Sequence, residues 1–342
     1  MKKISLLVAL LFGGVVLGGP VANADEGEIG FTISPNLPEN QIDKEAGYFD
    51  LRMTPGQEQT IEVSVINQST QDAVYDININ QANTNESGFV DYSENLKDKD
   101  ESMKYATEDI VNAADNIAVP AGETVNVPIT ITMPDEEFDG EILAGIQVLK
   151  EEAEEEQSSG FKNEYAYLIG LRLTMNDNKV MRELNLKGIE VDETFGESAV
   201  IATLQNPTMD AIGKMDYVGK IYPKDDKENP IHEFSYVGNE MSMAPNSIYN
   251  FAITMGSKEL KAGEYVVDFT VNDAQGNQWE FNEEFTITKE KAEAVNEIVI
   301  ADAPKAEAGI PGWAFAVGGI LTGLVIMMGI LLLKKQIAHS KN

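Results

Sequence analysis

Apolar and polar residues alternate with period two along much of this chain. That period marks strands with one buried face. Gln59–Asn67 places Ile61, Val63 and Val65 on one side, Val74–Ala82 does the same with Tyr75, Ile77 and Ile79, and Thr124–Met133 with Val125, Val127, Ile129 and Ile131. Pro55-Gly56 and Ala121-Gly122-Glu123 supply turns just before two of these strands. Pro128 has no N–H to give a ladder, which predicts a sheet edge for its strand. Glu141–Leu149 and Tyr165–Met175 complete a first set, the second with Tyr165, Tyr167, Ile169, Leu171 and Leu173 on one face. Between them, Glu151–Gly160 is a charge run that reads as a solvated hairpin tip. One short helix is expected within Lys104–Ala114.

A second set follows the short polar segment Asn176–Lys179. Its candidate strands are Leu184–Val191, Ser198–Asn206, Ile212–Tyr222, Ile231–Val237, Ile248–Met255, Glu264–Val271 and Gln278–Ile287. Seven short strands in about a hundred residues are the plan of an immunoglobulin-like sandwich. Tyr265, Val267, Phe269 and Val271 should face inward, and Tyr265 after Lys261-Ala-Gly suits a tyrosine corner. Asp273–Asn277 makes the last hairpin turn, and Trp279 reads as a core residue. The fold class expected is therefore all-β, with two tandem immunoglobulin-like β-sandwich domains.

Both ends break the alternation. Lys2 and Lys3, an apolar run from Ile4 to Leu17 and Ala22-Asn23-Ala24 have the layout of a secretory signal peptide. Gly309–Leu333 carries no charge and is followed by Lys334 and Lys335. A run of that length can span a bilayer as a helix, with its basic flank on the cytoplasmic side. The expected localisation is thus the cell membrane, single-pass, with an extracellular body and a short cytoplasmic tail. Gly319 and Gly323 form a Gly-x-x-x-Gly, a spacing that lets two such helices approach closely.

Charge narrows the partners. All 57 acids lie between the two terminal segments, against 20 of the 25 lysines and arginines, so the body carries a net −37. Nucleic acid and an anionic membrane surface would both repel it. Cysteine is absent, so an exported body of this kind depends on core burial and not on cross-links. With no cysteine and only His232 and His339, thiolate catalysis and histidine-based zinc sites are excluded, and no Gly-x-Ser-x-Gly elbow accompanies His232. Paired carboxylates leave a wall-acting glycosidase open as an alternative. Asn83, Asn85, Ser87, Gly88, Asp91 and Glu94 fall at the oxygen-donor and glycine offsets of a calcium loop, which leaves open a calcium-dependent adhesin acting alone. Turn chemistry accounts for the same residues. Asn83, Asn85, Asp91 and Tyr92 are also the candidate carbohydrate-facing set, since an aromatic beside amides suits sugar edges.

Several phrases carry a family resemblance. They are Ser34-Pro35 with Pro38-Glu39-Asn40-Gln41; Gly47-Tyr48-Phe49-Asp50-Leu51 with Pro55-Gly56; Val65-Ile66-Asn67; Ala82-Asn83-Thr84-Asn85 with Gly88 and Asp91-Tyr92; and Met133-Pro134 leading to Phe138-Asp139-Gly140 and Gly145-Ile146. Together they resemble the WxL-interacting surface proteins of Gram-positive bacteria. The phrases are specific for the first domain; the second matches by position and strand plan. The resemblance implies a signal peptide (1–24), a peptidoglycan-binding-type β-sandwich (28–175), a host-binding-type immunoglobulin-like domain (180–288), a stalk (289–308), a transmembrane helix (309–333) and a cytoplasmic tail (334–342). The implied partners are WxL-domain surface proteins, peptidoglycan and host extracellular matrix. The chain has no WxL signature of its own, so it would be the anchor partner. The function expected is a non-catalytic scaffold or adhesin, with no cofactor.

Overall fold

The computed structural model describes residues 30–95, 99–151, 165–194, 196–256 and 258–302. The first twelve elements are β1 (Phe31–Asn36), β2 (Phe49–Arg52), β3 (Glu58–Asn67), β4 (Ala73–Gln81), β5 (Asn83–Thr84), β6 (Val90–Asp91), α1 (Thr107–Ile110), β7 (Val111–Ala113), β8 (Asn116–Val119), β9 (Thr124–Thr132), β10 (Glu141–Lys150) and β11 (Ala166–Thr174). They form one sandwich, in which the sheet β1-β3-β9-β7 packs on the sheet β2-β11-β10-β4-β8. The alternation does what it predicts. Ile61, Val63 and Val65 of β3 meet Ile146 and Val148 of β10 and Ile169, Leu171 and Leu173 of β11 in one core. Tyr165 instead stays exposed at the start of that strand.

The second sandwich follows in β12 (Asn185–Thr194), β13 (Glu197–Asn206), β14 (Ile212–Pro223), β15 (His232–Met243), β16 (Ser247–Thr254), β17 (Gly263–Asn272) and β18 (Gln278–Ile287), closed by helix α2 (Lys289–Asp302). A three-stranded sheet β12-β13-β16 faces the four-stranded sheet β15-β14-β17-β18. Tyr217, Phe234, Phe251 and Phe269 stack in its centre, with the Tyr217 and Phe251 centroids 4.3 Å apart. Tyr265 Oη donates to Lys261 O at 3.0 Å, forming the expected tyrosine corner. One buried device occurs in both sandwiches. Asn67, at the end of β3, donates to Gln71 O and Val119 O and accepts from Ser69 N. Asn206, at the end of β13, donates to Asp210 O and Ala244 O and accepts from Thr208 N. Each side chain satisfies backbone groups that strand pairing cannot reach.

Two expectations need correction. The strand bearing Pro128 is not at an edge, because β9 lies between β3 and β7. Its neighbour β7 ends at the Ala113–Ile129 pair, so the side of β9 away from β3 is open at Pro128 and no ladder bond is lost there. The stalk expected from Lys289 onward is a packed helix as far as Asp302. Thr288 Oγ1 caps it by accepting from Lys291 N, and Ala292, Val295 and Val299 make a helical stripe buried in the second core. Asn296 exchanges two hydrogen bonds with the backbone of Leu260, at 2.8 and 2.9 Å. An alanine-, glutamate- and lysine-rich composition hid a three-residue apolar stripe. Residues 303–308 of the expected stalk, the signal segment, the charge run 152–160 and the Gly309–Leu333 span with Gly319 and Gly323 lie outside the described residues. Among the described residues no helix is long and apolar enough to cross a membrane.

The two sandwiches are bonded directly to each other. Glu141 N donates to Met209 O at 2.6 Å, and Glu141 Oε1 accepts from Ala211 N at 3.1 Å. Ala244 N donates to Thr84 Oγ1 at 3.0 Å, and Thr84 and Ser247 hydroxyls meet at 2.7 Å. Gln205 Nε2 reaches both oxygens of Asp100, and Asn246 Nδ2 reaches Ser102 O. Ala82, Leu143 and Ala244 close a small apolar seam. This explains why β10 is buried on both faces at its start: the outward Leu143 is covered by the second sandwich.

Candidate functional site

The surface with most chemistry lies on the outer face of β10 and β11. Gly145 and Gly170 are cross-strand partners there, so two adjacent positions of the face have no side chain. Tyr92 fills the space over Gly145, where a Cβ would stand 2.5 Å from the Tyr92 Cβ. Tyr48 lies over Gly170, its Cβ 3.5 Å from the same construction point. A glycine in mid-strand signals close approach by another group, and Gly145 is used this way, whereas Tyr48 stands at ordinary contact distance over Gly170. Leu168 stands beside Tyr92 and, like Tyr48, is 41% exposed.

The strap carrying Tyr92 is fixed by amides. Asn80 Nδ2 donates to Tyr92 O at 2.8 Å, Gln147 Nε2 to Ser93 O at 3.0 Å, and Asn95 Nδ2 to Ile79 O at 2.9 Å. Burial, then the nearby Glu141 and Tyr48, push the Tyr92 phenol up to about 12. It is therefore a neutral hydroxyl at any physiological pH. At one end of the shelf Arg172 bridges Asp50 at 2.9 Å and Glu141 at 2.5 Å. At the other, Asn78 donates to Gln147 Oε1 at 3.2 Å on an exposed surface. Two tyrosine rings on a flat glycine floor, flanked by amides and a bridged arginine, can pack against apolar ring faces and bond hydroxyls and amides.

The sequence-predicted residues divide around this shelf. Tyr92 belongs to it. Asn83 and Asp91 are strand partners in the small β5–β6 hairpin. Asn83 Nδ2 donates to Glu94 O at 3.3 Å, and Asn83 lines a cavity of about 90 Å3 between the sandwiches, together with Gln81, Met103, Thr107, Asn246 and Ile248. Asn85 Oδ1 accepts from Ser87 N and Phe89 N, and Asp91 Oδ1 from Ser93 N. Two of the oxygens singled out for calcium, Asn85 Oδ1 and Asp91 Oδ1, thus bond backbone N–H groups of their own turns. Among the described residues no group of three or more histidine, aspartate or glutamate side chains is placed to hold a metal ion. His232 is half-buried beside Phe234; burial, then Lys258, lower its pKa. Tyr48, Leu168 and Arg172 were not singled out as site residues. The two mid-strand glycines in LAGIQV and LIGLR were the available signal.

Comparison with known families gives two matches. Residues 31–150 match the family model described as WxL Interacting Protein, peptidoglycan binding domain, and residues 156–297 match WxL Interacting Protein, host binding domain. No curated protein matches the chain. Among solved structures, similar chains include the PapD-like domain 7 of human CEP192, at 13% identity over 52% of this chain and 99% of that one, with a TM-score of 0.27. The E. coli chaperone DraB is 12% identical over 75% of this chain and 95% of that one, with a TM-score of 0.29. The Salmonella enterica SafA pilin complex with the SafB chaperone gives 11% identity over 69% and 98%, with a TM-score of 0.27. TM-scores so low carry nothing further about this chain.

Proposed function

The chain belongs to the WxL-interacting protein family, and from that premise we propose that it is a non-catalytic, membrane-anchored scaffold joining WxL-domain proteins to the peptidoglycan wall, with host matrix as a further ligand. The observation that carries this reading is the pair of family matches, in this order, on two sandwiches bonded directly to each other. The first sandwich presents the tyrosine shelf, whose aromatic rings, amides and neutral hydroxyl suit the N-acetylated sugars of a glycan strand. The span at Gly309–Leu333 and the signal segment support export and anchoring.

Three measurements test the reading. The exported body should capture a WxL-bearing protein from its organism's secretome; recovery of none above background removes the scaffold assignment. It should co-sediment with purified peptidoglycan sacculi. Tyr48→Ala, at an exposed position, should weaken that binding about tenfold, equivalent to about 1.4 kcal/mol. Protease treatment of intact cells should remove the body, whereas a chain that survives intact is not displayed outside.

A further inference from the structure

We propose that the free edge of β16 accepts an extended segment of a partner protein as an added strand. The inference rests on the reading of the chain as a protein-binding scaffold and names the surface and the form of the ligand. Among strands β16 pairs only with β13, through an unbroken register from Ala199–Thr254 to Asn206–Ser247; its Ser247 end meets Thr84 of β5, so the open stretch of the edge lies beyond it, around Asn250 and Ala252. Its sequence, SIYNFAIT, contains no charged residue, no proline and no glycine. Sheet edges normally carry such devices because unpaired backbone recruits other strands.

The other edges of these sheets do carry them or are short. β1 contains Pro35. β12 has Lys187, Glu190, Asp192 and Glu193, a register break near Gly188, and an ion pair to α2 through Lys291. β15 has two register breaks and left-handed backbone at Gly238 and Glu240. β18 has Glu280, Glu283 and Glu284. β2, β7 and β8 have four residues or fewer. β16 is the exception among the described strands.

Beside this edge lies a groove of about 380 Å3 whose lining includes Phe89, Tyr236, Met241, Tyr249, Phe251 and Ala252, and contains no charged residue. Phe89 is 41% exposed on a hairpin tip that is held in place. Asn85 Oδ1 accepts from Phe89 N at 3.0 Å, Ser242 N donates to Gly88 O at 2.7 Å, and Gly88 lies against Met241 and Tyr249. An exposed aromatic held rigidly loses little entropy on binding. A strand edge offers alternating backbone donors and acceptors, which only another backbone satisfies in register. The groove takes apolar side chains from every second residue of that strand. The body's net −37 sets the rest of the chemistry: the added segment has no acids in its paired stretch and gains from lysine or arginine at its flanks. A second copy of this chain brings the same negative charge and is disfavoured as the occupant.

The test uses the full chain displayed on cells, with a photo-crosslinking residue in place of Phe89 or Ala252, and at Glu283 on β18 as control. The expected result is one adduct, shared by positions 89 and 252 and absent at 283. Its attached peptide alternates apolar residues and lacks acids. Ala252→Lys should cut the adduct at position 89 at least about tenfold, as a charge on an edge blocks strand addition. Circular dichroism and thermal melting of that variant show whether it keeps its fold; Phe89→Ser, at an exposed position, is the second variant and should cut the adduct at 252 similarly. An adduct to a second copy, to glycan, or at neither position overturns the inference. If Ala252→Lys still captures the WxL-bearing protein at the wild-type level, this edge is wrong and the scaffold reading stands. Failure of the wild-type chain to capture any WxL-bearing protein defeats the scaffold reading itself.

Discussion

At the scale of single residues, the fold depends on a few positions where the side chain is buried and polar or is missing. Gly145 is one. A Cβ there would stand 2.5 Å from the Tyr92 Cβ and 3.1 Å from Leu168 Cδ1, so Gly145→Ala should cost about 1–3 kcal/mol and displace the strap, read as a lowered Tm with weakened sacculus binding. Asn67 and Asn206 are wholly buried and each serves backbone carbonyls. Asn206→Leu should lose about 1–3 kcal/mol in denaturant unfolding, since it orphans Ala244 O and Asp210 O. Arg182 bridges Asp210 at 2.6 Å and Asp273 at 2.7 Å. Burial alone would raise the Asp273 carboxyl; hydrogen bonds from Asn277, Arg182 and the backbone of Asn277 and Gln275 outweigh it and hold the pKa below the usual carboxylate value. A depressed folded pKa stabilises above the unfolded value, about 4, and that stability fades as pH falls through the folded value. Acid titration of Arg182→Gln, followed by tryptophan fluorescence, should therefore show unfolding at a higher pH than the parent. The buried asparagines and the arginine bridges were not legible beforehand, because their roles depend on partners 4 to 122 residues away.

Among elements, strands with one solvated face were legible and the exceptions have physical reasons. All seven strands of the second sandwich occur where alternation places them, although β15 runs on to Met243, six residues past the expected end at Val237. β10 reads as apolar on both faces because a second domain, not solvent, covers its outer side. Helix α2 escaped notice because its core-facing residues, Ala292, Val295 and Val299, are interspersed with lysines and glutamates. Its packing gives a direct expectation. Val295→Asp should lower the Tm strongly, and a chain ended at Thr288 should behave similarly, whereas a true stalk would tolerate both. The glycine pair on β10 and β11 was visible as a local irregularity, but the tyrosines that cover it come from loops about 50 to 120 residues distant. Of the candidate site, the sequence thus exposed Tyr92 and left Tyr48 and Leu168 to be found in three dimensions.

For the whole molecule, direct bonding between the sandwiches predicts one cooperative unit. Glu141, Thr84, Asp100 and Ser102 on the first sandwich bond backbone or side chains of the second. Calorimetry of residues 25–308 should give a single transition; two separated peaks would show that the seam contributes little. The strongly acidic charge adds a salt dependence, with Tm rising as ionic strength screens self-repulsion. The docking of α2 also sets a distance. Only six residues, 303–308, separate its end at Asp302 from the proposed span at Gly309. Fully stretched, they reach about 20 Å. Were that span to cross a bilayer as proposed, so short a leash would hold the second sandwich near the lipid headgroups, and a ligand for it would have to come down almost to the bilayer.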